Sequence, residues 1–181
     1  SQWASNGSET HSAECTVCKY KVNKNHNYDG NGTCGDCGAK QPRLEISSNV
    51  YKIDDKNIAK IKAGTTVKQF IENIGTNATE IKIYDKNNNL QEDAKVMKTG
   101  MSLELKYLNE TRTFKIEVNG DATGDGKVEF SDMIAINMHL LNRRTLQDEY
   151  FVAADVTKDG KVEFNDFLKI NIYMLSRISE L

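Results

Sequence analysis

Positions 120–132 read GDATGDGKVEFSD, and 34 residues later positions 154–166 read ADVTKDGKVEFND. Aligned over 120–143 and 154–177, the copies agree at 13 of 24 places, and the agreement runs on through Ile136/Ile170, Asn137/Asn171, Leu141/Leu175 and Arg143/Arg177. Such a duplication constrains the C-terminal third to fold as two similar units, each a polar loop followed by a helix. Read as a twelve-residue loop, the first copy has Asp121, Thr123 and Asp125 in first, third and fifth place, Gly126 sixth, Lys127 seventh, Glu129 ninth and Asp132 twelfth. The second copy places Asp155, Thr157, Asp159, Gly160, Lys161, Glu163 and Asp166 in the same order. Alternating side-chain oxygens and a glycine at the sharp turn suit a hard cation with six to eight oxygen ligands. Calcium fits that pattern better than magnesium, which holds a rigid octahedron and keeps its waters. Lys127 and Lys161 would contribute only their carbonyls, and Glu129 and Glu163 a direct or water-mediated contact. The twelfth-place carboxylate also favours the start of the following helix. One acidic turn would be ordinary Asp and Gly turn chemistry. Two with the same residues at the same offsets point to a repeated ion site.

Both loops run into amphipathic stretches. DMIAINMHLLNRR sets Met133, Ile136 and Leu140 on one stripe beside Ile134, Met138 and Leu141; DFLKINIYMLSRI repeats this with Phe167, Ile170 and Met174 beside Leu168, Ile172 and Leu175. The joint apolar face is wider than one small core needs. TLQDEYFVAA, between them, reads as a short connecting helix. The first loop is entered from the strand-like RTFKIEVNG, so no helix precedes it as in an ordinary EF-hand. So small a domain is marginal as a core, and calcium binding would add the stability it lacks.

The remaining sequence divides by composition. Residues 1–42 are rich in Ser, Asn, Gly and Lys, hold all four cysteines and end at Pro42, the one proline of the chain. Residues 43–119 carry β-favouring runs (RLEIS, NVYKI, EIKIYD, MSLELKY, RTFKIEV) and one helix signal from Thr65 or Thr66, with Val67, Phe70, Ile71 and Ile74 at helical spacing and Gly75 as the stop. DKNNNL reads as a hairpin or loop. The expectation is an α+β multidomain chain: an N-terminal Cys/His segment over 1–42, a sandwich-like β-rich domain with one helix over 43–119, and an all-α domain of two calcium-loop–helix units over 120–181. A net charge of −2 gives no electrostatic case for nucleic acid. No run approaches the length of a membrane span. The opening SQWASNGSET has neither the basic start nor the apolar stretch of a secretory signal, so the chain reads as a mature protein or a piece of a longer one.

On GDATGDGKVEFSD and ADVTKDGKVEFND, each followed directly by a helix, residues 120–181 resemble a type I dockerin. In that family, cellulosome-type enzymes of anaerobic bacteria plug into cohesins on a scaffoldin. The resemblance implies two calcium ions, a secreted or cell-surface location, a cohesin partner and, for the carried protein, polysaccharide degradation. It also implies recognition through the loop ends and exposed helix faces: Phe130, Ser131, Asn137, Met138 and Asn142 in one copy, and Phe164, Asn165, Asn171, Ile172 and Ser176 in the other. Family members often carry small hydroxyl residues at the places of Phe130 and Phe164, and Asn or Asp at the places of Thr123 and Thr157. Near-equivalent copies imply two-fold pseudosymmetry and two orientations of the partner. Met138 and Ile172 read equally well as core. The middle segment resembles, through GTTVKQFIENI and KTGMSLEL, the small β-rich modules that precede dockerins. The N-terminal segment resembles Cys/His-rich linker repeats of secreted Firmicute proteins.

Cys15-x-x-Cys18 and Cys34-x-x-Cys37 are separated by fifteen residues, a spacing that reads as a structural, zinc-ribbon-like zinc site of four thiolates. Each pair follows a histidine, so His11 or His26 can replace a thiolate; two disulfides are the competing arrangement, and free thiols the third. No nucleophile–base–acid constellation is present and the acidic residues are committed to the loops. The chain therefore reads as a monomeric, non-catalytic docking module, with an EF-hand-like calcium sensor or structural module as the alternative.

Overall fold

The computed structural model describes residues 2–7, 9–176, 178–179 and 181. The repeat partner of Arg143, Arg177, lies outside the described residues. The chain forms two compact units, residues 1–43 and 44–181.

The first unit is a three-stranded antiparallel sheet of β1 (Trp3–Ser5), β2 (Thr10–Glu14) and β3 (Lys21–Asn25), in that order. Two tight turns follow one hydrogen-bond pattern. Cys15 N–H donates to Tyr20 O (2.9 Å) and Lys19 N–H to Cys15 O (3.0 Å), while Cys34 N–H donates to Ala39 O (2.8 Å) and Gly38 N–H to Cys34 O (2.8 Å). The 19-residue period of the two C-x-x-C pairs is therefore a repeat of backbone geometry as well as of sequence.

The second unit begins with β4 (Ile46–Ser47), β5 (Lys52–Ile53), β6 (Asn57–Ile61), α1 (Val67–Glu72), β7 (Gly75–Thr76), β8 (Glu80–Tyr84), β9 (Ser102–Tyr107) and β10 (Glu110–Val118). Thr66 caps α1 and forms a capping box with Gln69. The helix stops at Asn73, short of the expected Gly75, and Gly75 instead pairs with Ser47 in the β4–β7 ribbon. β5, β6, β10, β9 and β8 form one five-stranded sheet in that order, with β6 and β10 parallel and the other pairs antiparallel. The expected sandwich is corrected here. The core lies between this sheet and α1, where Val67 and Phe70 meet Ile58, Leu103, Leu105, Phe114 and Ile116. Ile74, beyond the helix, only packs on its margin.

β10 runs directly into the duplicated region, whose helices are α2 (Phe130–Leu140), α3 (Asp148–Ala154) and α4 (Phe164–Met174). A second core gathers Ala122, Met133, Ile136, Leu146, Ala154, Val156, Val162 and Ile170, with Leu140 and Phe167 packed against it, so the first stripes point inward except at Met174, which is exposed. The link between α2 and α3 is pinned where Leu146 N–H donates to His139 Nδ1 (3.0 Å) and His139 meets Phe151 edge to face. Alternation along β10 breaks at Glu117, which is buried although its β-sheet neighbours Ile116 and Val118 are buried too. The α3 side accounts for this: Gly120 N–H donates to Ala153 O (2.8 Å), and Lys115 Nζ lies 3.8 Å from Glu149 Oε1.

Candidate functional site

The two loops repeat their hydrogen bonds residue for residue. Asp121 Oδ1 accepts from the N–H groups of Gly124 (2.8 Å) and Asp125 (3.0 Å), and Oδ2 from Gly126 (3.0 Å). Asp155 accepts in the same order from Lys158 (2.7 Å), Asp159 (3.2 Å) and Gly160 (2.9 Å). Asp125 and Asp159 each accept from the seventh-place amide, Lys127 or Lys161, at 2.9 Å. The twelfth-place carboxylate ties the loop exit to its entrance: Asp132 accepts the Thr123 amide (2.9 Å) and hydroxyl (3.0 Å) through Oδ1 and the Glu129 amide (2.8 Å) through Oδ2. Asp166 does the same with Thr157 and Glu163. Because each threonine hydroxyl gives its proton to the carboxylate, its oxygen keeps both lone pairs for a cation.

This donor set fits calcium. Asp121, Asp132, Asp155 and Asp166 are all buried, and no lysine or arginine forms an ion pair with any of them among the described residues. Burial pushes the Asp121 carboxyl upward and that of Asp132 up to about 6. A divalent ion within each ring of oxygens offsets that desolvation. Glu129 and Glu163 instead face outward beside Lys127 (3.9 Å) and Lys161 (3.5 Å).

The loops differ in their backing. Asp121 Oδ2 takes a further N–H from Thr99 (2.9 Å), and the Thr99 hydroxyl bridges to the Val118 backbone. The β-rich part thus grips the first loop and leaves the second free of this contact.

On the helices, large apolar side chains remain exposed in pairs related by the repeat: Phe130 and Phe164 (63% each), Ile134 and Leu168 (49% and 42%), Leu141 and Leu175 (56% and 60%). With Asn137 and Asn171 they lie at i, i+4, i+7 and i+11, one face of each helix. Ser131 and Asn165 begin these faces. Asn142 and Ser176 end them with left-handed backbones, φ 53° and 55°. Met138 and Ile172 are half-buried, at the edge between core and face. Ile134, Leu141, Leu168 and Leu175 were absent from the recognition set implied by resemblance. The duplicated second apolar stripe was the signal for them.

In the N-terminal unit two imidazoles and two thiols come together, from among the six residues the sequence offers. His11, His26, Cys34 and Cys37 place their ligand atoms within 4.8 Å of one another, and Cys15 and Cys18 stand outside the group. The spacing of the cysteine pairs does not encode the β2–β3 pairing and the Tyr28–Cys34 bridge, beside which His11 and Cys34 meet. None of the four cysteines is disulfide-bonded in this structure.

No curated protein and no solved structure matches this chain. Residues 119–175 match the family model described as the dockerin type I domain. The repeated loop geometry and the family match cover the same stretch, and the C-terminal region of this chain is a type I dockerin domain, a calcium-binding module that docks onto a cohesin.

Proposed function

We propose that this chain is the attachment end of a larger secreted protein, a polysaccharide-degrading enzyme, which it fixes to a cohesin on the scaffoldin of a cellulosome-like complex. Within the chain there is no catalytic role. Each loop takes one calcium ion, through Asp121, Thr123, Asp125, the Lys127 carbonyl and Asp132, and through Asp155, Thr157, Asp159, the Lys161 carbonyl and Asp166. The ions fix the N-termini of α2 and α4 and so hold the two apolar faces in place.

The observation that carries this reading is the matched exposure of Phe130 and Phe164 on loops with the same hydrogen bonds. Isolated exposed apolar residues are ordinary on protein surfaces, whereas contiguous apolar faces mark interaction sites. A sensor would need a groove that opens on calcium binding, but here Met133, Ile136 and Ile170 are already committed to one core.

The test is binding of the full chain to an immobilised panel of type I cohesins. If either face can serve, Phe130→Ala or Phe164→Ala alone weakens binding by no more than about two-fold, the loss of one of two equivalent modes. The double variant weakens it by about 30-fold or more, as loss of a central aromatic anchor does. Tight calcium loading with no binding to any cohesin would favour a purely structural calcium module instead.

A further inference from the structure

The N-terminal unit has no apolar core. Among its described residues only His11, Ala13, Gly32 and Cys34 are buried. A unit of residues 1–43 sits near the size at which disulfides or metals replace hydrophobic burial, and its cysteines are free thiols. Its interior is filled by metal-ligating side chains. His11, in the middle of β2, holds Nδ1 3.4 Å from Cys34 Sγ, and His26 holds Nδ1 3.4 Å from Cys37 Sγ. In a tetrahedral site with Zn–S of about 2.3 Å and Zn–N of about 2.0–2.1 Å, neighbouring nitrogen and sulfur ligands lie about 3.6 Å apart.

Both imidazoles are oriented for this from behind. His26 Nε2 lies 3.1 Å from the Gly7 carbonyl oxygen. His11 Nε2 is a buried nitrogen without a hydrogen-bond partner, and the carboxylate of Asp36 stands 3.6 Å from it. An Nε2–H turned toward an outer oxygen leaves the Nδ1 lone pair facing the sulfurs, the arrangement that orients metal-bound histidines. The ring of Trp3 against His11 and that of Tyr28 stacked on His26 shield the group from water. Two thiolates and two imidazoles in a closed tetrahedral set suit zinc above the harder cations.

We propose that His11, His26, Cys34 and Cys37 bind one zinc ion, which takes the place of a hydrophobic core in the N-terminal unit. Cys15 and Cys18, in a turn of the same backbone form, take no part.

The test uses the full chain, loaded with zinc and calcium and dialysed, with metals counted by mass spectrometry and the zinc environment read by X-ray absorption. The expected result is one zinc per chain with two sulfur neighbours at about 2.3 Å and two nitrogen neighbours at about 2.0–2.1 Å. The Cys15→Ser/Cys18→Ser double variant keeps the zinc and the same sulfur-to-nitrogen ratio, while His11→Asn and Cys34→Ser each lose stoichiometric zinc. The absorption measurement on the unsubstituted chain keeps the proposal testable even where a variant misfolds. A four-sulfur shell, loss of zinc in the Cys15→Ser/Cys18→Ser variant, or a zinc-free chain with oxidised Cys34 and Cys37 would overturn it.

Discussion

Gly126 and Gly160 occupy the sixth place of the two loops, with φ of +89° and +87°. A side chain at either adopts a left-handed backbone, which costs an L-residue about 1–2 kcal/mol. Their surroundings differ. A Cβ at Gly126 would lie 3.1 Å from the Met97 carbonyl oxygen and 3.0 Å from Lys98 Cγ; at Gly160 it would meet nothing within 4 Å. The Lys98 stem can swing aside, but Met97 is fully buried and its N–H is held by Thr65 O at 2.8 Å. Crowding against such a fixed backbone adds about 1–2 kcal/mol. Gly160→Ala is therefore expected to cost about 1–2 kcal/mol and Gly126→Ala about 2–4 kcal/mol. Urea unfolding in saturating calcium, followed by far-ultraviolet circular dichroism, measures both, with an unchanged m-value as the sign that only stability has moved. Equal costs, or a larger cost at Gly160, would refute the packing of the first loop against residues 96–98.

Three further outcomes follow from the same geometry. Asp132→Ala or Asp166→Ala removes the carboxylate that closes one loop, so calorimetric calcium titration of either variant should find one site in place of two. Chelation of the unsubstituted chain should lower the helix signal of α2 and α4, since four buried carboxylates then lack a counter-ion. Burial first, then the charges of Asp54 and Glu149, push the Glu117 carboxyl from its usual 4.5 up to about 7. Between those values the folded chain holds a proton that the unfolded chain has released, so stability falls as pH rises from about 4.5 to about 7 and stays reduced above that. Glu117→Gln should accordingly raise stability at pH 8 by about 1–3 kcal/mol and leave it nearly unchanged at pH 4, as thermal melts at the two pH values will read.

The dockerin part was legible because its chemistry is local. Within each loop the carboxylates accept from amides no more than nine residues away, as Asp132 does from Thr123, and α2 and α4 start at Phe130 and Phe164, just before the carboxylate that closes each loop. The β-rich part was half legible. β10, with Phe114, Ile116 and Val118, announces itself by alternation, but its parallel partner β6 does not: NIAKI has little alternation and is bent by Lys60 at φ 64°. Parallel pairing of Asn57 with Lys115 is a long-range event that no local pattern encodes. The first unit was least legible. THSAE and KVNKN form strands through pairing with each other, without apolar periodicity, and His11 meets Cys34, 23 positions on, only once the Tyr28–Cys34 bridge folds the following segment back. The grip of Thr99 on Asp121 crosses between two segments whose sequences are unrelated, so nothing in either forecasts it.

The most direct test of the account is calorimetric titration of the full chain with type I cohesins, first in calcium and then after chelation. The account predicts tight one-to-one binding that disappears in chelator and returns when calcium is restored. Binding that persists without calcium, or a fully calcium-loaded chain that ignores every cohesin, would contradict it.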